Sequence, residues 1–386
     1  MGITGGLNAK QADFNNDGFM DILILRGAWL DKGGEWPNSL LKNNGDGTFS
    51  DITIASGMLS FCPTETASWA DVNNDGWIDV FIANENNDNN QYPCELYINN
   101  GNETFTNVAN DWGLAGNFGF AKAAIWSDFN NDGLQDLFVS CLNYDNKLFM
   151  NRGRIGNSKK FKFENIADKA GVLLPKQSFP AIVFDYNNDG FEDIFCTSFP
   201  AEKLSHVGEE AALELLGKPS TAEKSRLLRN NGNETFTDVS KEANLWKQTF
   251  AMGFSFGDID NDGDVDIVVS NNSGPVRLLL NDVGHNQPWL GLRLVEGPAD
   301  ARWDALGAVA RVERAGAAPL LRRCATDGSY LSSSDPRLLF GLGQHSEITQ
   351  VTVTWPDGFI ERWSPPEVNR YHDLVRGEGT EIGADR

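Results

Sequence analysis

The 386-residue sequence predicts an all-β protein: a β-propeller of four-stranded blades, five of them visible as repeats, followed by a small antiparallel β domain. Three observations predict it. A nine-residue acidic segment recurs five times, a hairpin motif recurs between the copies, and the last hundred residues alternate apolar and polar side chains with period two.

The first copy is Asp13-Phe14-Asn15-Asn16-Asp17-Gly18-Phe19-Met20-Asp21, and 71–79, 128–136, 185–193 and 258–266 align with it without gaps. Their starts lie 58, 57, 57 and 73 residues apart. Strand-forming runs enter each segment, as at 66–71, and leave it, as at 79–83 and 266–270. A hairpin follows at 41–49, 98–105 and 228–236, where an Asn-Gly turn supplies the positive φ such turns require. The third unit has a degenerate version, with Asn151-Arg152-Gly153 and a longer loop before Phe161. Four short strands in a repeat of about 40–60 residues read as a propeller blade. The longer fourth interval holds an insertion at 206–224, in which 208–216 reads as a helix that decorates the blade or covers a pocket as a lid.

Within each acidic segment, oxygen-bearing side chains stand at positions 1, 3, 5 and 9. They are Asp13, Asn15, Asp17 and Asp21; Asp71, Asn73, Asp75 and Asp79; Asp128, Asn130, Asp132 and Asp136; Asp185, Asn187, Asp189 and Asp193; Asp258, Asp260, Asp262 and Asp266. Alternate positions in a tight loop point toward one centre, which is how a hard cation is caged by several oxygens. Glycine at position 6 allows the sharp turn, so that position 7 (Phe19, Trp77, Leu134, Phe191, Asp264) offers its backbone carbonyl. An EF-hand loop needs an acid at position 12, where this chain has Ile24, Ile82, Val139, Cys196 and Val269; here Asp at position 9 closes the site instead. The pattern predicts about five bound Ca²⁺. Magnesium fits less well because it retains more water, and without His or Cys in ligand spacing zinc and copper are poor candidates.

Composition agrees with this reading. The net charge is 22 negative, of which the first 286 residues carry 19. Most of that is ligand carboxylate, so the chain offers no evident surface to a nucleic acid, and no apolar run is long enough for a membrane span. The charge break and the polar stretch 281–288 divide the chain into a propeller at 1–286, a β domain at 287–378 and a tail at 379–386.

The five segments and their hairpins resemble the FG-GAP/VCBS calcium-binding blades of integrin-alpha-type propellers, over roughly 7–282. That resemblance implies that the loop carboxylates bind calcium and rigidify each blade. It also implies a ring that usually closes with seven blades, whereas five repeats are visible and the fifth stops at 276–281 without its Thr-Phe strand. The motifs at 304–308, 328–332, 339–343 and 353–358 resemble the ASPIC/UnbV domain, which accompanies such propellers in cartilage acidic protein relatives.

The remaining signals are weaker. Five cysteines preclude complete intramolecular pairing; Cys141 and Cys196 read as buried, and Cys62 with Cys94 as a candidate disulfide. His206, His285, His345 and His372 have no catalytic companion and read as surface or capping residues. The sequons at 102–104 and 233–235 coincide with hairpin turns, and a third lies at 271–273. Glu192 and Asp264 read as solvated charge, and Phe19, Trp77, Phe191, Phe49, Phe105 and Phe236 as blade-packing core. The sequence thus favours a non-catalytic binding or adhesion module for a protein or glycan in an extracellular or periplasmic setting, where weak calcium loops fill. The alternative is an enzyme, a lyase or a natural-product biosynthetic protein, with its active site in the propeller funnel.

Overall fold

The computed structural model describes residues 6–86, 91–116, 118–199, 212–213, 216, 218, 223–245, 251–271, 275–326 and 329–383. Most of the 206–224 insertion, His206, positions 272–273 of the third sequon and the turn residues Asp327 and Gly328 lie outside them.

Each acidic segment joins the first two strands of one sheet. Blade I comprises β1 (Asn8–Ala12), β2 (Asp21–Leu25), β3 (Ser39–Asn43) and β4 (Phe49–Asp51). Blade II has β5 (Thr64–Ala70), β6 (Asp79–Asn84), β7 (Glu95–Asn99) and β8 (Phe105–Asn107). Blade III has β9 (Phe120–Ser127), β10 (Asp136–Leu142), β11 (Lys147–Arg154) and β12 (Phe161–Asn165). Blade IV has β13 (Ser178–Phe184), β14 (Asp193–Ser198), β15 (Arg226–Asn230) and β16 (Phe236–Asp238). Blade V has three strands, β17 (Ala251–Gly257), β18 (Asp266–Asn271) and β19 (Arg277–Leu279), as the missing Thr-Phe motif anticipates. All are antiparallel meanders, and one register recurs: the residue before loop position 1 pairs with Asp at position 9 (Ala12 with Asp21, Ala70 with Asp79, Ser127 with Asp136, Phe184 with Asp193, Gly257 with Asp266).

The inner strands β5 and β13 are buried along their whole length, while β4 lies exposed. Blades stack face to face and bury both sides of these strands, so β13 is a near-continuous apolar run, while β5 buries Thr64, Glu65, Thr66 and Ser68 beside Ala67 and Trp69. The core is accordingly four inter-blade layers. Ala12, Phe14, Leu23 and Leu25 of blade I, for example, pack on Trp69, Val80, Ile82 and Phe105 of blade II. Phe105 meets Phe14 at 5.7 Å between ring centroids, and Phe236 meets Phe129 at 5.9 Å. Phe49 is the equivalent residue of blade I, is covered by none of the described blades, and is 44% exposed. Phe19 is 45% exposed and lies over Gly45, as Trp77 does over Gly101 and Phe191 over Gly232. Reading Phe19 and Phe49 as core was therefore incorrect. A Cβ at Gly101 would stand 2.9 Å from the Trp77 ring, which together with its φ of 73° explains glycine there.

Residues 289–381 build two further sheets. One contains β20 (Trp289–Glu296), β21 (Trp303–Asp304), β24 (Leu338–Gly341) and β27 (Tyr371–Val375). The other contains β22 (Val309–Arg314), β23 (Leu320–Arg323), β25 (Ile348–Thr354), β26 (Ile360–Trp363) and β28 (Thr380–Glu381). Their facing sides form one core, with Leu292, Phe340, Val351 and Trp355 fully buried. The expectation of an antiparallel domain needs one correction, since β27 pairs with β20 in parallel. Period-two alternation reports which face is buried and carries no strand direction. Residues 380–381, expected in the tail, pair with Arg362 and Glu361.

Among the described residues there are five blade sheets. The segment 329–335 runs beside β17, with Ser255 Oγ donating to Ser333 O (2.7 Å) and Asp335 N to Phe256 O (3.0 Å). It also reaches β1, where Lys10 Nζ donates to Ser329 O (3.3 Å). No helix of the described residues is long and apolar enough to cross a membrane.

Candidate metal centres

The five acidic loops share one hydrogen-bond scheme, set by the register of the strands that flank them. Aspartate at position 1 accepts from the amides of positions 5 and 6: Asp13 from Asp17 N (3.1 Å) and Gly18 N (2.8 Å), Asp185 from Asp189 N (3.1 Å) and Gly190 N (2.7 Å). Aspartate at position 9 accepts from position 2 and from the third strand: Asp79 from Val72 N (3.0 Å) and Asn99 N (2.8 Å), Asp193 from Tyr186 N (3.0 Å) and Asn230 N (2.7 Å). Position 5 turns one oxygen to the position 7 amide, as Asp75 does to Trp77 N (3.0 Å), and in the first four loops the other to the position 3 amide group, which the fifth loop replaces with the carboxylate of Asp260. Each carboxylate oxygen so used keeps a lone pair for a cation, save Asp258 Oδ2, which accepts from both Gly263 N and the Tyr371 hydroxyl.

The carboxylates at positions 1 and 9 are largely out of water and close to one another, whereas Asp17, Asp75, Asp132 and Asp260 are exposed. Burial pushes Asp13, Asp71 and Asp128 up to about 6 from their ordinary 3.8, and Asp21 and Asp185 up to about 7, against the lowering effect of the amide donors. Burial lifts Asp79, Asp136 and Asp193 well above the carboxylate range, and the charge of their position 1 partners adds to it. Asn187 Oδ1, at a ligand position of the fourth loop, is buried without a hydrogen-bond partner. Clustered carboxylates together with an orphaned amide oxygen are the donor set of a hard divalent cation, so the loops fit calcium. Such a cation would offset both the burial of these charges and their mutual repulsion.

The sign of those shifts gives an expected pH dependence. A carboxyl whose folded pKa is raised contributes stability that is complete below its unfolded value and lost as pH rises through the folded one. The metal-free protein should therefore lose melting temperature from about pH 4, near the ordinary carboxyl value of 3.8, through about 6 and 7, where Asp13 and Asp21 titrate in the fold. Calcium should flatten or reverse that fall, which differential scanning calorimetry at several pH values would read.

Two sets of asparagines bind the blades to one another. At position 4 the chain is in the left-handed region (Asn16, Asn74, Asn131, Asn188 and Asn261, φ 55–60°). The first four of these side chains donate to the glycine carbonyl of the next loop: Asn16 to Gly76 O, Asn74 to Gly133 O, Asn131 to Gly190 O, Asn188 to Gly263 O. The hairpin asparagine reaches the other way, to the position 2 carbonyl of the preceding loop: Asn99 to Phe14 O (2.7 Å), Asn151 to Val72 O (3.0 Å), Asn230 to Phe129 O (2.8 Å), Asn281 to Tyr186 O (2.8 Å). Asn43 of blade I reaches only Met20 O, within its own loop. Replacing Asn99 with alanine should cost about 2–3 kcal/mol, because it orphans buried carbonyls of two blades. Asn43→Ala should cost less than half as much, and urea unfolding of the two variants would test the difference.

Residues 289–383 dock on the same loop face. Asn261 has no sixth loop to reach, and its Oδ1 accepts from Arg337 Nη1 (2.7 Å), whose Nη2 donates to Asp258 O (2.6 Å). Tyr371 donates its hydroxyl to Asp258 Oδ2 (2.9 Å). Gly343 N donates to Asn188 O (2.9 Å), and Trp289 covers Gly263. Between loops and domain lies a cavity of about 140 Å³ lined by Asp128, Asp185, Asp258, Arg322 and Arg337.

A model of the FG-GAP-like repeat matches residues 13–82, 71–139, 128–196 and 215–269, and one of the ASPIC and UnbV domain matches 298–381. The chain belongs to the FG-GAP-like repeat family. Mouse (Mus musculus) cartilage acidic protein 1 is 25% identical over 378 residues, 92% of this FG-GAP chain and 52% of that protein. The human protein (Homo sapiens) is 26% identical over 325 residues, 80% and 43% of the two chains. The chain spans about half the length of the curated relatives it matches. Among solved structures, a chain from the crystal structure of BBS1N in complex with ARL6DN, soaked with lead, is 9% identical. It covers 94% of this chain and 81% of that one with a TM-score of 0.37, too low to carry an argument.

Several single residues of the FG-GAP blades stand differently from their reading in sequence. Glu192 is no solvated charge: it pairs with Arg322 Nε at 2.9 Å and accepts from Ser127 Oγ. Asp264 is fully buried and pairs with His285, which is itself exposed, as its surface reading expected. All five cysteines are free, Cys62 and Cys94 included, and Cys141 and Cys196 are buried as expected. Lys122, unremarked in sequence, is fully buried on β9 with its Nζ 3.0 Å from Glu65 Oε2, in contact with Glu85 and 3.4 Å from the Trp29 ring centre.

Proposed function

We propose that this chain is a secreted, calcium-stabilised FG-GAP module that presents its surface to a protein or glycan, without catalysis of its own. The observation that carries the calcium reading is the fivefold gathering of buried carboxylates in loops whose own side chains supply no balancing cation. Each loop would hold one Ca²⁺ through positions 1, 3, 5 and 9 and the position 7 carbonyl, from Asp13 in the first loop to Asp266 in the fifth. The propeller portion would end near residue 286, and 287–378 would act as a cap on the loop face. Loops of this class hold calcium with a dissociation constant of roughly 10⁻⁴–10⁻³ M, which suits an extracellular or periplasmic compartment and leaves them empty in cytosol.

Binding is favoured over funnel catalysis by two features. Small-molecule sites usually enclose about 300–1,000 Å³, against about 140 Å³ in the cavity between the loops and the second domain; the larger spaces of about 760 Å³ beside Tyr186 and His345 and about 540 Å³ beside Ser255 and Arg337 are open surface grooves. Arg322 and Arg337 are moreover engaged with Glu192 and Asp335, and Tyr330 is buried against Phe179 at 4.8 Å between centroids. The test is a glycan array and a panel of purified extracellular proteins, probed in millimolar calcium and again in EGTA. Saturable binding lost with calcium is the expected result. Turnover of a polysaccharide with release of unsaturated products would transfer the function to the lyase reading.

A further inference from the structure

The fifth loop departs from the other four in a way that calcium does not use. At position 7, where the others carry Phe19, Trp77, Leu134 and Phe191, it carries Asp264. A calcium loop takes the backbone carbonyl from this position, so the side chain is surplus to that shell. Asp264 is nonetheless fully buried. One of its oxygens faces His285 Nδ1 at 2.9 Å, and Oδ1 has no hydrogen-bond partner. Asp262 Oδ2 lies 3.3 Å from the same ring nitrogen. One ligand atom from each of Asp262, Asp264 and His285 falls within a 4.8 Å span, and so does one from each of Asp258, Asp260 and Asp262. Asp262 belongs to both groups.

We propose that the fifth loop is a two-cation site, in which a first-row transition ion of the Zn²⁺ class binds Asp262, Asp264 and His285 beside the calcium position. The proposal rests on the calcium reading only for its neighbour. Imidazole is a poor ligand for calcium and a good one for zinc, cobalt or nickel, so the histidine selects the class. Geometry agrees: bonds of about 2.0–2.1 Å in a tetrahedral shell separate adjacent ligand atoms by about 3.3 Å. The observed separations of 2.9 and 3.3 Å therefore need little movement. Three protein ligands leave the fourth position to water, since Asp262 and His285 are only partly buried. His285 lies in a short 3₁₀ turn, Gly284–Asn286, immediately before β20, so the ion would tie that connection to the fifth loop.

The test uses the full chain with calcium saturating and titrates Co²⁺, whose visible absorption reports its ligands, followed by Zn²⁺ in competition. One Co²⁺ per chain is expected, displaced by an equivalent of zinc. His285→Gln and Asp264→Asn should each weaken cobalt binding about tenfold or more, while His345→Gln leaves it unchanged. Should a variant fail to fold, the wild type still answers: bound Co²⁺ should protect His285 from diethylpyrocarbonate, read by mass spectrometry. Unchanged affinity in His285→Gln, unprotected His285, or no cobalt site in the presence of calcium overturns the proposal. Cobalt binding without any calcium binding would uphold it and refute the calcium reading instead.

Discussion

Excess EGTA should lower the melting temperature of this protein by about 8 °C or more, the largest effect that any change of buffer would produce. A ligand that binds only the folded state stabilises it by RT ln(1 + [L]/Kd). At millimolar calcium and a Kd of roughly 10⁻⁴ M, each site contributes about 1.4 kcal/mol, and five such sites about 7 kcal/mol. For a chain of 386 residues, at about 2.1 cal/mol/K of unfolding entropy per residue, each kcal/mol corresponds to roughly 1.2 °C. Without the cation each loop must also hold its carboxylates together uncompensated, as the raised values of Asp21 and Asp185 express. Restoring calcium should restore the transition, and magnesium at equal concentration should restore only part of it. A melting curve that EGTA leaves in place would contradict the account.

The second large effect belongs to Asp193. Its two oxygens join three parts of blade IV: the loop at Tyr186 N, the third strand at Asn230 N, and the start of β14 that carries it. Asp193→Ala orphans two buried amides, each worth about 1–3 kcal/mol, and removes a cation ligand as well. A loss of about 3–5 kcal/mol is expected in calcium, with one fewer calcium bound per chain. Asp193→Asn keeps the volume and one acceptor, so its loss should be intermediate. In EGTA the gap between wild type and Asp193→Ala should narrow, because part of the aspartate's contribution is made through the cation. Equal unfolding curves in calcium for wild type and Asp193→Ala would show that the fourth loop neither binds nor staples.

Most of the fold was legible because the repeat was. Five copies of one spacing mark the loop, its flanking strands and the hairpin, and the missing Thr-Phe motif foretells the three strands of blade V. What the repeat could not convey is what lies between units. Asn99 reads as a turn residue from its own hairpin, yet its amide serves the loop of the preceding blade. The position 4 asparagines carried a usable signal, since all five loops place Asn there although the cation needs nothing from it. Phe49 follows the pattern of Phe105 and Phe236 yet is exposed, because none of the described blades packs on it as blade I packs on Phe105. Arg337, Tyr371 and His285 were out of reach, because nothing in their local sequence says that they meet the fifth loop.

The central claim is that the acidic loops are calcium sites on which the blades depend. Isothermal titration of the metal-free protein with calcium tests it most directly. The account predicts about five Ca²⁺ per chain, each bound with a dissociation constant of roughly 10⁻⁴–10⁻³ M, and one fewer in Asp193→Ala. A metal-free chain that is folded and takes up no calcium at millimolar concentration would contradict it.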